Sequence, residues 1–366
     1  MFFTGELERG EAGYTITKPR IISTIEPFGP DPKHPDGVLP TTVRGGEVKQ
    51  FVNGGAAISL VGSVRRDVPD SVVQHLDGAG LDAVTDTPGY NETTIFSPDQ
   101  RLGITMTTRF SEHTDPGVLG LLPRPYPASL NMGLSMFAYT YSVVGVRSSR
   151  LGNVGPALID IASSKTVPGY LGSNLSRDEN WVFRSPMSWH PGGKKALWVE
   201  GKRGSDSRRI RMVTLPDYRP GKAIAARTTP DAIPYASTDL SIIPALAEKS
   251  RNIDVKVYGQ KTGYIQYRRT PATIEKVYVG YSDDGKGTYS GSEMLKVNPQ
   301  GNSVYQGNVR LEGKESGKMA LKLTFGPLTG KLPAQIVFGS DANGDPQSFG
   351  YSEYAGKRLD VAALVP

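Results

Sequence analysis

Apolar and polar residues alternate one by one along several stretches of this sequence. The alternation runs through 305–312 and 319–325, and shorter versions occupy 102–107 and 210–213. Side chains of a β-strand point alternately to its two faces, so a period of two indicates strands with one buried face and one wet face. We therefore predict half-buried antiparallel strands in these four stretches.

Turn-forming residues separate the alternating stretches. Gly and Pro, which interrupt helices and central strands, supply 43 and 28 of the 366 residues. Dipeptides suited to tight hairpin turns occur at Gly192-Gly193, Asp284-Gly285, Ser316-Gly317 and Asn343-Gly344. Helical patterns are confined to 69–76 and 237–249, and Pro244 interrupts the second. We therefore expect an all-β protein, which excludes a bundle of long helices, and no apolar run is long enough for a transmembrane helix.

Two segments of the chain are similar to each other. Residues 94–105 and 186–199 both contain an apolar strand end, a turn centred on Pro, a basic residue or pair, and a second apolar strand. Their prolines lie 93 residues apart, which is about twice the 40–45 residues of a four-stranded propeller blade. After the second copy, 208–215 has the pattern of a third strand of the same sheet.

These segments resemble the TolB-type, or PD40, repeat of β-propeller proteins. Blades of that family carry a Ser-Pro-Asp-Gly-Lys turn between their first two strands, and the matching turns here are Ser97-Pro98-Asp99-Gln100 and His190-Pro191-Gly192-Gly193. The resemblance covers about two blades. It implies a TolB-like β-propeller of about six to eight four-stranded blades over residues 1–250, with only short, protected sheet edges. Because one fold supports many activities, the resemblance implies architecture rather than chemistry.

The composition and the turn types of the chain change near residue 253. Tyr and Gly become frequent, and the Pro-centred turns give way to Asp-Gly and Asn-Gly turns. Residues 281–286 and 338–344 are loosely alike. We predict a β-rich, sandwich-like module over 255–366, and the alternative is that these strands form the last blades of the propeller.

Charge and cysteine content narrow the classes of function. Lys and Arg number 42 against 36 Asp and Glu, and 194–211 alone holds seven cations against two acids. That stretch is either a solvated hairpin or a patch for an acidic polymer. No aromatic residue other than Trp198 is interleaved with its cations, so we expect no nucleic-acid partner. The sequence has no cysteine, which excludes disulfides and thiolate chemistry.

The compartment is less strongly indicated. The lack of cysteine favours an exported bacterial protein, periplasmic or secreted. Residues 1–6 lack the basic and apolar regions of a signal peptide. We therefore expect that a leader was removed upstream of this numbering, and a cytosolic protein is the alternative.

His113 lies in the most suggestive setting of the four histidines. It follows a predicted strand and precedes a Pro-rich loop that we expect to lie over one face of the ring, where sites tend to be built. Arg109, Glu112 and Asp115 are near enough in sequence to orient it or to balance its charge. His190, in a blade turn, completes the candidate catalytic set. A solvated polar loop and a purely structural turn residue are the respective alternatives.

Two functions compete at this point. The first is a propeller protein that binds a peptide, glycan, protein or small-molecule partner at one face of the ring. The second is a channel-sited lyase or hydrolase acting on an anionic polymer or small molecule, with His113 as base or metal ligand. Propeller polysaccharide lyases, which have a similar architecture, use His, Tyr and Arg in this way. No Gly-x-Ser-x-Gly, P-loop, His-Glu-x-x-His or dinucleotide motif is present, and the sequence specifies neither a metal nor a cofactor.

Overall fold

The fold was obtained as a computed structural model. It describes the whole chain except Phe2, Ala79, Leu332, Pro366 and the segments 113–115, 126–131 and 244–251. Strands make up 46% of the structure and helices 10%, and the paired strands are antiparallel. The prediction of an all-β protein is therefore confirmed.

Two hairpins begin the chain. The first consists of β1 (Phe3–Gly10) and β2 (Gly13–Ile21), and the second of β3 (Phe28–Pro30) and β4 (Val38–Pro40). The second hairpin contacts the C-terminal part of the chain, because Gly37 forms a bridge with Lys256 and the Asp36 carboxylate accepts a hydrogen bond from the Lys256 Nζ at 2.7 Å. The two hairpins are thus attached to different parts of the molecule.

Three small antiparallel sheets follow, and each is an up-and-down meander. The first contains β5 (Glu47–Val52), β6 (Ala57–Gly62), β7 (Asp70–His75) and β8 (Leu81–Ala83). The second contains β9 (Asn91–Phe96), β10 (Leu102–Thr107), β11 (Gly155–Asp160) and β12 (Ser173–Asn174). The third contains β13 (Trp181–Trp189), β14 (Lys195–Lys202) and β15 (Arg208–Thr214).

The similar segments of the sequence occupy equivalent places in two of these sheets. Residues 94–105 form the β9–β10 hairpin and 186–199 form the β13–β14 hairpin, so each supplies the first two strands of its sheet. The predicted third strand at 208–215 pairs with β14 as β15. Strand β9 also packs against β5, β6, β7 and β13, which places the three sheets side by side.

The helix predicted at 69–76 is wrong, because this stretch is strand β7. It pairs with β6 on one side and β8 on the other, and the adjacent β-branched residues Val72 and Val73 are both buried. Burial on both faces removes the alternation that would have identified the strand. Asp67 and Gly78 are residue types typical of helix ends, but here they flank a strand.

A single eight-stranded antiparallel sheet forms the C-terminal part. Its strands pair in sequence order: β16 (Ile253–Tyr258), β17 (Thr262–Arg269), β18 (Thr273–Ser282), β19 (Gly287–Lys296), β20 (Ser303–Gly313), β21 (Gly317–Phe325), β22 (Phe349–Tyr354) and β23 (Lys357–Asp360). The strands predicted at 305–312 and 319–325 are β20 and β21. Gly291 and Gly350 have positive φ angles inside strands, and a Cβ there would lie about 2 Å from a neighbouring carbonyl oxygen. Glycine is required at both positions because the strands approach each other so closely.

The long connection between β10 and β11 packs against the buried face of this sheet. It contains α1 (Gly117–Gly120), α2 (Met132–Tyr139), a π-helical turn (Thr140–Val144) and α3 (Gly145–Ser148). Phe137 stacks on Phe325 with ring centroids 4.6 Å apart, and the Tyr141 hydroxyl donates to the Leu364 carbonyl at 2.8 Å. One hydrophobic cluster therefore joins the connection, the small sheets and the eight-stranded sheet.

Helix α4 (Ile161–Thr166) follows β11 directly. The Asp160 carboxylate caps it by accepting a hydrogen bond from the Ser163 amide at 2.7 Å. None of the helices in the described residues is long and apolar enough to cross a membrane. Closure of the small sheets into a ring, the number of blades, the sandwich-like packing of 255–366 and the domain boundary near 250 stay predictions.

Candidate functional site

A cleft of about 830 Å³ opens beside the first two small sheets. Its lining includes residues of strands β5 to β8, Tyr90 and Glu92 at the start of β9, and residues of α2, α3 and β13. Ligand sites of this size usually combine apolar walls with a few converging polar groups. The charged, aromatic and apolar side chains that line this cleft fit that description.

The charge on the acidic side of the cleft is partly neutralised. The Lys49 Nζ lies 3.3 Å from Glu92 Oε1 and also contacts the Glu47 carboxylate, so one ammonium serves both glutamates. The Tyr90 hydroxyl is 3.5 Å from the second oxygen of Glu92. Burial, followed by the charge of Glu92, raises the pKa of Tyr90 well above its usual range. Tyr90 therefore stays protonated and can act as a hydrogen-bond donor.

The basic side of the cleft is not neutralised by any described residue. Arg147 lines the cleft, and its Nε donates to the Phe183 carbonyl at 3.0 Å. Arg184, which lies between Phe183 and the lining residue Ser185 in sequence, has a buried Nε with no hydrogen-bond partner. Burial and then the nearby Arg147 and Arg208 lower the pKa of Arg184. Among the residues that the structure describes, no carboxylate lies within ion-pair distance of Arg147 or Arg184.

Arg44, from the segment before β5, also lines the cleft. Its guanidinium lies 3.9 Å above the Tyr235 ring, a cation–π contact, and its buried Nε has no hydrogen-bond partner. The lining also includes the apolar side chains of Leu60, Val72 and Met136. Leu60 and Val72 are buried, whereas Met136 is 54% exposed although it is a large apolar side chain. The cleft thus combines an exposed apolar side chain with two arginines that have no ion-pair partner among the described residues.

Arg109, one of the residues predicted to be catalytic, lies in a buried polar network at the end of β10. Its Nη2 donates to Asn91 Oδ1 at 2.9 Å, and its Nη1 donates to the carbonyls of Tyr170 and Leu171 at 3.3 and 3.1 Å. The Asn91 amide in turn donates to Asp70 Oδ1 at 3.0 Å. These contacts join strands β7, β9 and β10 to the loop before β12.

The other residues predicted to be catalytic lie outside this buried network or outside the described residues. His190 is exposed and its Nδ1 accepts a hydrogen bond from the Gly192 amide at 3.0 Å, which supports the β13–β14 turn. Glu112 is exposed. His113 and Asp115 lie outside the described residues. A catalytic role for this set therefore stays a prediction.

The structure does not bring Arg109 and His190 together. Arg109 bonds Asn91 at the start of β9, whereas Trp189, next to His190, donates through its Nε1 to the Ile95 carbonyl at 2.8 Å. Four residues of strand separate these anchor points, which corresponds to about 13 Å. Arg109 and His190 therefore lie near opposite ends of strand β9.

The Pro-centred turn of the first similar segment has a structural role in this fold. Asp99 Oδ1 accepts from the Ser97 hydroxyl at 2.6 Å, while its Oδ2 accepts from the Tyr218 hydroxyl and the Gly221 amide at 2.7 and 2.8 Å. Burial opposes the charge of Asp99, but these hydrogen bonds lower its pKa to about 2. Asp99 thus fastens the segment that follows β15 onto the β9–β10 turn.

A second concentration of charge is fully buried under the eight-stranded sheet. Arg124 Nε lies 3.0 Å from Glu293 Oε2, and another Arg124 nitrogen contacts Asp67. Lys276 Nζ lies 3.3 Å from Asp67 Oδ1 and 3.2 Å from Glu293 Oε1. Two cations and two carboxylates therefore balance each other away from water.

Hydrogen bonds complete this buried cluster. The hydroxyls of Tyr278 and Tyr305 each donate to Glu293 at 2.6 Å, and Arg124 also donates to the Leu119 carbonyl at 2.7 Å. Burial opposes the charge of Glu293, but Arg124 and Lys276 outweigh it and lower its pKa. Because every charge is paired, the cluster is a structural connection between α1, the β6–β7 loop and the sheet.

Sequence reasoning missed both the cleft and the buried cluster. One local signal was available, because Lys276 lies between Ile274 and Tyr278 at an inward position of β18. A charged residue at an inward position of a strand indicates a buried partner elsewhere. The partners themselves are far away in sequence and could not have been identified.

Comparison with known proteins adds no relative. No family model matches the chain, and no curated protein shows significant similarity to it. Within the described residues, no group of three His, Asp or Glu side chains is placed to hold a metal ion.

Proposed function

We propose that this protein binds a small amphipathic anion in the 830 Å³ cleft. The observation that carries the proposal is the pair of arginines that line the cleft without an ion-pair partner among the described residues, Arg147 and Arg44, together with the exposed side chain of Met136. Partly buried cations are costly unless an anion pairs with them. A carboxylate, sulfonate or phosphate can accept parallel hydrogen bonds from a guanidinium, which favours arginine for this task.

The rest of the cleft suits the apolar part of such a ligand. Met136, which is 54% exposed, offers surface to a hydrocarbon or aromatic body. Lys49 offsets one of the two glutamate charges, which reduces the repulsion of the anionic group. The proposal is the small-molecule form of the binding role expected from the sequence.

Two related fluorescent probes test the proposal. Anilinonaphthalene sulfonate has an apolar body and an anionic group, and N-phenylnaphthylamine has the same body without the sulfonate. A hydrogen bond to a charged group contributes about 1.5–3 kcal/mol, so Arg147→Gln should weaken sulfonate binding by about 10-fold or more. Binding of the neutral probe should be unchanged.

The controls separate charge recognition from general damage. Arg310→Gln removes an exposed arginine from strand β20, far in sequence from the cleft, and should leave both probes unaffected. Far-UV circular dichroism of each variant checks the fold. Equal affinity of Arg147→Gln and the unmodified protein for the sulfonate would refute the proposed function.

We further propose that the three small sheets are consecutive blades of a TolB-like propeller in an exported protein. The up-and-down strand order, the equivalent hairpins at 94–105 and 186–199, and the side-by-side packing of the sheets support this assignment. A crystal structure in which these sheets share no common axis would contradict it. Fractionation of the native bacterium tests the periplasmic or secreted location.

The alternative function is the channel-sited lyase or hydrolase with His113 as base or metal ligand. Arg109 would have to leave the carbonyls of Tyr170 and Leu171 to meet a substrate anion. This rearrangement makes the binding role the better supported of the two. Release of unsaturated products from an anionic polysaccharide, lost in His113→Ala, would instead establish a lyase.

A further inference from the structure

Within the described part of the chain, strand β15 has an open edge. It is the last strand of its three-stranded sheet, and β14 lies on its other side. The Lys202 amide donates to the Ser207 carbonyl, and the Leu215 amide donates to the Lys194 carbonyl. Because an antiparallel strand turns alternate residues toward each neighbour, these bonds place odd-numbered residues of β15 on the β14 side. The backbone N–H and C=O groups of Ile210 and Met212 therefore point outward.

The outer face of this sheet is apolar next to the open edge. Ile210 is 72% exposed and Met212 is 58% exposed, and Leu197 lies directly opposite Met212 on β14. The other face of β15 carries Arg209 and Arg211. An exposed strand edge with apolar side chains is a template for pairing with another strand.

The β1–β2 hairpin has the complementary properties. It is a two-stranded sheet, and Leu7 and Ile16 face each other across it while remaining 68% and 69% exposed. An isolated two-stranded hairpin is marginally stable in water, so exposure of such side chains favours a partner. Glu8 lies on the opposite face and forms no ion pair within the described residues.

Within the described residues, the edge of β1 that faces away from β2 is also unpaired. The two-residue connection at 11–12 makes Gly10 and Gly13 the closing pair of the hairpin. Alternation from that pair turns the N–H and C=O groups of Leu7 and Arg9 away from β2. Leu7 of β1 and Met212 of β15 therefore each combine backbone groups that point to the open edge with a side chain on the apolar face of the sheet.

We propose that β1 of a second copy of this chain adds to the open edge of β15. In an antiparallel register with Leu7 opposite Met212, the apolar faces of the two sheets become continuous. The same register places Glu8 opposite Arg211, and Arg211 also lacks an ion-pair partner among the described residues. One arrangement thus satisfies backbone pairing, apolar contact and charge. In it, the β1–β2 hairpin of each copy extends the β13–β14–β15 sheet of the other.

The oligomeric state of the full chain tests this proposal. Sedimentation velocity and light scattering should show a dimer or larger assembly at micromolar concentration. Ile210→Pro removes an outward N–H and leaves the bonds to β14 intact, so the variant should fold and its dissociation constant should rise at least about 10-fold. Ile210→Val, which keeps the N–H, is the matched control and should assemble almost normally.

A charge exchange tests the identity of the partner. Glu8→Arg alone should weaken assembly, because it would face Arg211. Combining Glu8→Arg with Arg211→Glu should restore it. A monomeric wild-type chain, assembly that ignores Ile210→Pro, or failure of the combined variant to recover would each overturn the proposal. Probe binding in the cleft is independent of these results.

Discussion

The buried charges around Arg124 allow the most demanding test of how this fold is held together. Replacing Arg124 with Met keeps most of the side-chain volume but removes the charge and all of its donors. Among the described residues, Glu293 and Asp67 would then share Lys276 as their one cationic contact. Breaking a fully buried ion pair by removing one partner costs about 3–5 kcal/mol.

Two further effects set the size of the loss. The Leu119 and Leu122 carbonyls would each lose a donor, and an unsatisfied buried group costs about 1–3 kcal/mol. Protonation of Glu293 would limit the total, because an unpaired buried carboxylate takes up a proton. We therefore expect a loss of at least about 4 kcal/mol, which is a large part of the 5–15 kcal/mol typical of a folded protein.

Urea denaturation at neutral pH, followed by tryptophan fluorescence, measures this loss. Arg310→Met is the matched control, because Arg310 pairs with Glu312 at 3.2 Å on the surface, where such a pair contributes about 0–1 kcal/mol. If Arg124→Met fails to fold, adding Glu293→Gln should recover part of the stability by removing the uncompensated charge. A loss below about 1 kcal/mol for Arg124→Met would refute the reasoning.

Two other predictions concern aspartates. Burial raises the pKa of Asp70 to about 7, so the folded state holds a proton that the unfolded state releases, and stability should fall as the pH rises from about 4 to 7. Asp70→Asn should flatten this slope in denaturation series and be more stable above pH 7 by on the order of 4 kcal/mol; identical slopes would contradict this. Asp99→Ala should speed trypsin cleavage after the exposed Lys222 several-fold by releasing the segment beyond β15, whereas the exposed neighbour Asp217→Ala should not.

The sequence predicted those strands and hairpins whose pattern lies within one contiguous stretch of residues. A period of two identified β10, β15, β20 and β21 as strands. The alternation corresponds to a buried and a more exposed face in β20 and over most of β21, whereas β10 is buried on both faces and β15 is mostly exposed, so the expectation of half-buried strands is wrong for those two. The hairpins at 94–105 and 186–199 were identified because their turns and flanking strands are contiguous in sequence. Strand β7, buried on both faces, carried no such period and was mistaken for a helix.

The candidate site could not be predicted in the same way. Its charged groups come from separate segments: Glu92 from β9, Arg147 from α3 and Arg44 from the stretch before β5. Nothing in the spacing of these residues indicates that they meet. The His113 region drew attention because histidine is rare here, yet a rare residue in a loop says little about which side chains surround it after folding.

Helix α2 links the cleft to the eight-stranded sheet. Ser135, Met136 and Tyr139 line the cleft, while Leu134 and Phe137 pack into the core that includes the sheet. Because residues three and four apart share a helix face, one side of α2 lines the cleft and the other side is held by the sheet. The cleft is therefore not a property of the small sheets alone. A cleft assembled in this way requires the C-terminal strands for its shape, even though none of the described residues that line it belongs to them.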